Sequence, residues 1–289
     1  MADCPLCGSP DNTLSFKDKG YDILACGNCG LFFIDPYPLD AAQHHRAVSR
    51  YDYREMTVLS VDRRYRAEEF YYEEYFPILE PHIRRAGSIL DVGCGTGYLL
   101  ERCSEFGLKR VGIELNKDRA EFARTKTGCQ IHQVPIETFT TDQRFDVITL
   151  MNVLSHVCSF DGLFKAIKDL LNPGGKIIIK TGVLAPNVKR TDVFDWEIPD
   201  HLHFLGLETI HHICRKYGLI LLEHHRRPLS EELFSRRSLL LAGRSTWRNA
   251  VKKILAYTPL VVELLRLLYE RRHDRRVFSS LMLLTVQNQ

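Results

Sequence analysis

From residue 86 to residue 181, short apolar, β-branched runs alternate with stretches of helical periodicity. Residues 88–92, 109–114, 129–134, 144–151 and 176–181 read as strands, and 98–106, 118–127 and 160–171 as the helices between them. That alternation specifies a parallel sheet with helices on both faces. Further on, 206–217 reads as a helix, 219–224 as a sixth strand and 277–286 as a last strand, with 182–205 a loop. Upstream, 14–16 and 21–24 read as short strands, and Asp35-Pro-Tyr-Pro38 as a linker. The polar, aromatic-rich stretch from Tyr51 to Phe76 reads as one or two helices that Pro77 and Pro81 end. Residues 251–269 are apolar around the whole helix, with Pro259 inside and Lys252, Lys253, Arg271 and Arg272 flanking.

The pattern centres on Ile89-Leu-Asp-Val-Gly-Cys-Gly-Thr-Gly97, a strand running into a tight turn and then a helix. Gly93, Gly95 and Gly97 let the backbone turn sharply and approach a ligand, which would meet backbone N–H groups and the positive end of a helix dipole. The spacing is G-x-G-x-G, and Tyr98 stands where the third glycine of the dinucleotide fingerprint would fall. Asp91, just before the turn, would repel a pyrophosphate but suit a cation. A second strand ends at Glu114, placed for a carboxylate that binds both hydroxyls of a ribose. A ribose with a positive group and no phosphate describes S-adenosylmethionine. Asp91, Glu114, Ile136 and Asn152 all fall at carboxyl ends of predicted strands, where open α/β sheets bind ligands.

With these residues in view, the chain resembles the class I S-adenosylmethionine-dependent methyltransferases. The resemblance covers residues 86–227 and the last strand, and rests on four pieces in order. These are Asp91-Val-Gly-Cys-Gly-Thr-Gly97, Glu114, the run from Phe145 to Asn152-Val-Leu-Ser-His156, and Leu171-Asn-Pro-Gly-Gly-Lys-Ile-Ile-Ile179. It implies a Rossmann-like seven-stranded sheet whose last strand is antiparallel. It also implies that Asp91 and Gly93, Gly95 and Gly97 hold the methionine moiety, and Glu114 the ribose. Ile136 would cover the adenine, and Asn152 and Val153 would line the other side of the methionine. Helices ahead of the first strand form a lid in related enzymes. Tyr51 and Tyr53 therefore either contact the methionine end or simply pack one helix face. A hydroxyl acceptor needs a base, usually histidine. The candidates are His156, past the fourth strand, and His201 and His203 in Pro-Asp-His-Leu-His-Phe204; the alternative is that His201 and His203 brace the loop. The family often has Glu-His where this chain has Ser155-His156, so no role transfers to position 155.

Cys4-Pro-Leu-Cys7-Gly8 and Cys26-Gly-Asn-Cys29-Gly30, eighteen residues apart, have the spacing of a four-thiolate zinc site. Four thiolates close the shell, so the expected role is structural, and metal would stabilise a module too small to fold on its own core. The expected organisation is a zinc ribbon at 1–35, a helical lid and linker at 36–85 and a methyltransferase domain at 86–289, with a helical insertion at 228–275. Forty-five per cent hydrophobic and 26% charged residues fit a globular protein, and a net charge of +3 argues for no polyanionic partner. No run of eighteen apolar residues reads as a membrane span. Nine cysteines without a leader-like start are read as thiols or metal ligands in a cytoplasmic protein. Thirteen Lys/Arg against five Asp/Glu lie between Arg226 and Arg276. Three arrangements stay open for the insertion: packing on the sheet, a homodimer face, or contact with an anionic membrane surface.

The leading expectation is methyl transfer to a small-molecule acceptor, at a hydroxyl of a sugar or natural-product intermediate. Sugar C-methylation and RNA base methylation are the alternatives among enzymes. Nucleic acid is disfavoured by a ribbon with only Lys17 and Lys19, and by Asn152-Val-Leu-Ser in place of Asn/Asp-Pro-Pro-Tyr. A non-catalytic S-adenosylmethionine-binding module is the alternative of another class.

Overall fold

A computed structural model describes residues 2–38, 61–192, 196–234, 257–273 and 276–287. Tyr51, Tyr53 and half of the insertion lie outside the described residues. The central sheet has β4 (Ser88–Val92), β5 (Lys109–Ile113), β6 (Gln130–His132), β7 (Phe145–Met151) and β8 (Leu171–Leu184), with β10 (Leu219–Pro228) and β11 (Val277–Val286). Its order is β10-β11-β8-β7-β4-β5-β6. All pairs from β8 to β6 are parallel, and β11 is antiparallel to both β8 and β10. This is the expected seven-stranded sheet. The order reverses between β4 and β7, which makes the crevice above their carboxyl ends the ligand position for such a sheet.

Two apolar cores cover its faces. Leu90, Ile148, Leu150, Ile177 and Ile179 pack against α4 (Phe160–Leu170) and α5 (Thr209–Tyr217). Ile89, Val147, Met151 and Ile178 point the other way, against α1 (Val61–Ile83), α2 (Tyr98–Arg102) and α3 (Lys117–Thr127). The alternation follows from the period-two pleat.

Four elements differ from the sequence expectation. Helix α1 runs through Pro77 and Pro81 instead of ending there. Its buried stripe of Tyr72, Tyr75, Phe76, Leu79 and Ile83 outweighs the roughly 3 kcal/mol that an interior proline costs. Asn172-Pro-Gly-Gly175 lies within β8 as an irregularity, where the β7 register shifts between Phe145 and Val147. Pro259 opens helix α7 (Pro259–His273), which follows α6 (Leu229–Leu233); the first helical position is where its missing N–H costs nothing. His203–Gly206 is a strand, β9, not loop.

β9 ties the N-terminal module to the sheet. The module has β1 (Asn12–Asp18), β2 (Tyr21–Cys26) and β3 (Phe32–Asp35). β3 pairs with β9, Phe32 opposite Phe204 and Phe33 opposite His203, and β9 continues alongside the end of β8. Buried Thr209 accepts from the Gly206 N–H and donates to the Cys29 carbonyl, both at 2.9 Å. Gly206 must lack a side chain because the Gly30 carbonyl lies where its Cβ would be.

Within the described part of the insertion, the helix 229–233 packs against β10 and β11. Ser230 donates to Glu270 at 2.7 Å, and Tyr269 to the Asp192 carbonyl at 2.8 Å. On the outer side of α7, Leu260 is 86% exposed and Leu264 57%. Among the described residues, no helix is long and apolar enough to cross a membrane.

Candidate active site and metal centre

The glycine turn joins β4 to α2. Gly93, Gly95 and Gly97 all have positive φ, of 68°, 56° and 86°, a region that costs other residues strain. A Cβ on Gly93 would fall on Val153 Cγ2, so Val153 roofs the turn from the end of β7. A Cβ on Gly97 would sit 2.8 Å from Thr127 and 3.1 Å from Ala123. Gly97 thus also lets α2 close onto α3.

Asp91 is 0% exposed. Its Oδ1 accepts from Thr149 Oγ1 at 2.6 Å, while Oδ2 is buried with no hydrogen-bond partner. Burial pushes this carboxyl up to about 7; the Thr149 bond opposes the shift, and the charges of Glu68 and Glu114 add to it. Glu114 closes β5. Its Oε2 accepts from the Gly95 N–H at 2.9 Å and its Oε1 from the Asn116 N–H at 2.8 Å. Each oxygen keeps a further lone pair for a ribose hydroxyl.

Glu68 is a third acid here, and the sequence reading did not include it. It reaches over from α1 to accept from the Thr96 N–H at 3.1 Å and from the Thr96 hydroxyl. A Cβ on Gly95 would collide with it. Burial raises its pKa against the opposing Thr96 bonds. The available signal was spacing: Glu68 interrupts the aromatic stripe of α1, four residues before Tyr72. Three converging carboxylates, one with an orphaned buried oxygen, fit a cationic ligand bearing a ribose. Ile136 lies buried in the main core just past β6. Exposed Asn152 adopts a left-handed φ of 59° and donates its N–H to the Lys180 carbonyl at 2.9 Å.

The three histidines divide. His156 Nδ1 lies 3.2 Å from Asp200 Oδ1 and 3.1 Å from the Asp200 carbonyl. Burial pulls its pKa down, but the Asp200 bonds and charge outweigh it and the net shift is upward. The His201 ring centroid is 4.7 Å away. Burial first, then the His156 and Lys180 charges, hold His201 down at about 4. His203 sits apart and is buried. Its Nε2 lies 2.7 Å from the Leu154 carbonyl and its Nδ1 3.1 Å from the Tyr37 hydroxyl, so both ring nitrogens are engaged. The ribbon sets this geometry. β3 holds β9, and the Leu202 N–H donates to the Ser155 carbonyl at 2.8 Å, fixing the Asp200–His201 segment beside His156.

The ligand atoms of Cys4, Cys7, Cys26 and Cys29 all lie within 4.8 Å of one another. Cys4 and Cys29 sulfurs are 3.5 Å apart and those of Cys7 and Cys26 3.6 Å. A tetrahedral Zn²⁺ with Zn–S bonds near 2.3 Å separates sulfurs by about 3.8 Å, so the four fit zinc. Gly8 and Gly30, after each pair, have φ of 71° and 74°, and the Gly8 and Gly30 N–H groups turn back to the Cys4 and Cys26 carbonyls.

A family model described as a methyltransferase domain matches residues 63–224, more than half of the chain. The ubiquinone biosynthesis O-methyltransferase of Idiomarina loihiensis is 39% identical over 108 residues, 35% of this chain and 44% of that protein. The protein of the same name from Nitrosococcus oceani is 33% identical over 170 residues, 52% of this chain and 72% of that protein. The chain thus spans between under half and about seven tenths of these relatives' lengths. Among solved structures, the [4+2]-cyclase SpnF has a TM-score of 0.54 at 16% identity, covering 75% of this chain and 82% of that one. At such identity the likeness is of fold, and the fold alone does not specify the reaction.

Proposed function

We propose, from the premise that the chain belongs to the class I S-adenosylmethionine-dependent methyltransferases, that it transfers a methyl group to a hydroxyl of a small natural-product intermediate. One observation carries the reading: a cation-ready carboxylate cluster and an imidazole–carboxylate pair lie at the carboxyl ends of one set of parallel strands. Asp91 and Glu68 face the methionine ammonium, Glu114 takes the ribose hydroxyls, and Asn152 and Val153 wall the methionine end. Bound S-adenosylmethionine supplies an electrophilic methyl on a sulfonium. The chain's own residues exclude water, align the acceptor and remove its proton. Alignment alone contributes up to about 7–11 kcal/mol of barrier lowering.

His156, oriented by Asp200, is the general base, with His201 beside it. His203 braces the segment. A phenolic hydroxyl, with a pKa near tyrosine's value of about 10, lies closer to an imidazole than a sugar hydroxyl does. The relatives' part in ubiquinone biosynthesis points the same way, so phenols precede sugars as acceptors. The ribbon carries a structural zinc on Cys4, Cys7, Cys26 and Cys29, and works as the wall that positions the histidine segment. The test is methyl transfer from labelled S-adenosylmethionine to a panel of catechols, sugars and RNA. Label in catechol is the expected result. Label in RNA alone, or in none despite bound cofactor, refutes the reading.

A further inference from the structure

Lys180 is unexplained by the packing of the sheet. It is 6% exposed, the one lysine in the buried set among the described residues. It follows Ile177-Ile-Ile179 on β8, where an apolar residue would continue the pattern. Burying an amine is costly. Burial drives its pKa down to about 7, the Arg227 charge acting the same way and Glu74 opposing.

Its position is fixed by register. Asp91 pairs with Thr149, Thr149 with Ile178, and Met151 with Lys180. By the pleat, Lys180 shares a face with Ile178, and Asp91 and Thr149 share it too. Lys180 stands two residues beyond the Asp91 row, about 6–7 Å further along the strands, and two strand spacings, about 10 Å, across. That is too far to hold the ammonium at the glycine turn. It lies nearer the crevice rim than Asp91 does.

The surroundings fit an aromatic anion. Lys180 Nζ is 4.5 Å from the Tyr71 ring centroid and 5.4 Å from that of Tyr75. Tyr75 is held by Ser279 at 2.7 Å. The neighbouring cation Arg227 is paired with Glu74 at 2.9 Å, and the Glu74 charge also acts on Lys180. The Lys180 charge also contributes to holding the His201 pKa down. Its carbonyl accepts from Asn152, at the exposed rim.

We propose that Lys180 is the oxyanion partner of the acceptor: its ammonium receives the phenolate formed as the hydroxyl proton passes to His156. The phenolate oxygen then bonds to the methyl carbon as the carbon–sulfur bond breaks. The sulfonium charge and the phenolate charge cancel, leaving a methyl ether, a neutral thioether and a proton on His156. This role rests on the methyl-transfer reading above and adds a residue to it.

The test uses 4-nitrocatechol, whose absorbance reports ring ionisation, bound to the full-length protein loaded with S-adenosylhomocysteine. In the wild type the bound probe should ionise at least one pH unit below the free probe. In Lys180→Met and Lys180→Gln the ionisation constant should fall tenfold or more, with S-adenosylhomocysteine affinity unchanged. Equal bound pKa in wild type and variants overturns the proposal, as does absence of saturable probe binding. If the variants lose S-adenosylhomocysteine affinity, the wild type decides: a bound probe ionising at or above its free pKa overturns it. Failure of the wild type to bind S-adenosylhomocysteine would instead bring down the methyl-transfer reading itself.

Discussion

Replacing Asp91 with Asn should stabilise the cofactor-free protein while disabling it. Burial carries the Asp91 carboxyl from its ordinary 3.8 to about 7. At 1.36 kcal/mol per pH unit, the ionised carboxylate costs the folded state about 4 kcal/mol. The folded pKa lies above the unfolded one, so this cost grows as pH rises from about 4 to about 7 and is full above that. Asparagine removes it and still accepts from Thr149. Its amide NH₂ would occupy the place of Oδ2, which has no partner, and an unsatisfied buried donor costs about 1–3 kcal/mol. The net gain is about 1–3 kcal/mol at pH 8, a few degrees in Tm for a chain of this size. Urea or thermal melts of the cofactor-free variant and wild type measure it. At pH 5 the advantage should shrink by about 2–3 kcal/mol, because the wild-type carboxyl is then protonated in the fold. Affinity for S-adenosylhomocysteine should fall at least tenfold, about 1.4 kcal/mol. A variant less stable than wild type at pH 8, or an advantage independent of pH, would refute the reasoning.

His156→Gln should lower kcat about 100-fold or more and leave S-adenosylhomocysteine affinity intact; unchanged turnover returns His156 to a structural role. The wild-type kcat should rise with pH through the His156 titration, which lies above the ordinary imidazole value, since only neutral imidazole accepts a proton; a flat profile counts against it. Zinc removal or Cys4→Ser should increase hydrogen exchange at 197–206 and suppress turnover, while cofactor binding survives; unaltered exchange there would detach the ribbon from the site. Gly206→Ala forces apart the close approach of the Gly30 carbonyl and should cost about 1–3 kcal/mol; a neutral melt would contradict that contact.

The parts legible in the sequence are those set by local chemistry. The glycine turn, Glu114 and the two Cys-x-x-Cys-Gly pairs each need particular residues at short spacing, and the parallel strands announce themselves by apolar runs. Strand β9 was hidden because four residues, His203–Gly206, take their conformation from pairing with Phe32 and Phe33 far upstream. Pro77 and Pro81 predict an early end to α1 because the weight of its buried aromatic face is a tertiary quantity. Glu68 read as one acid among several on a polar helix, and only the approach of α1 to Thr96 singles it out. The histidines look equivalent in Asp200-His-Leu-His203; only His203 lies on β9, where pairing with β3 buries it, while His201 precedes the strand and stays beside His156.

The central claim is that the Asp91–Glu114 crevice binds an S-adenosyl cofactor. Calorimetric titration of the zinc-loaded protein with S-adenosylhomocysteine tests it most directly. One saturable site per chain, abolished or weakened tenfold in Glu114→Ala, is the expected result. No binding by the folded wild type, or equal binding by Glu114→Ala, would contradict it.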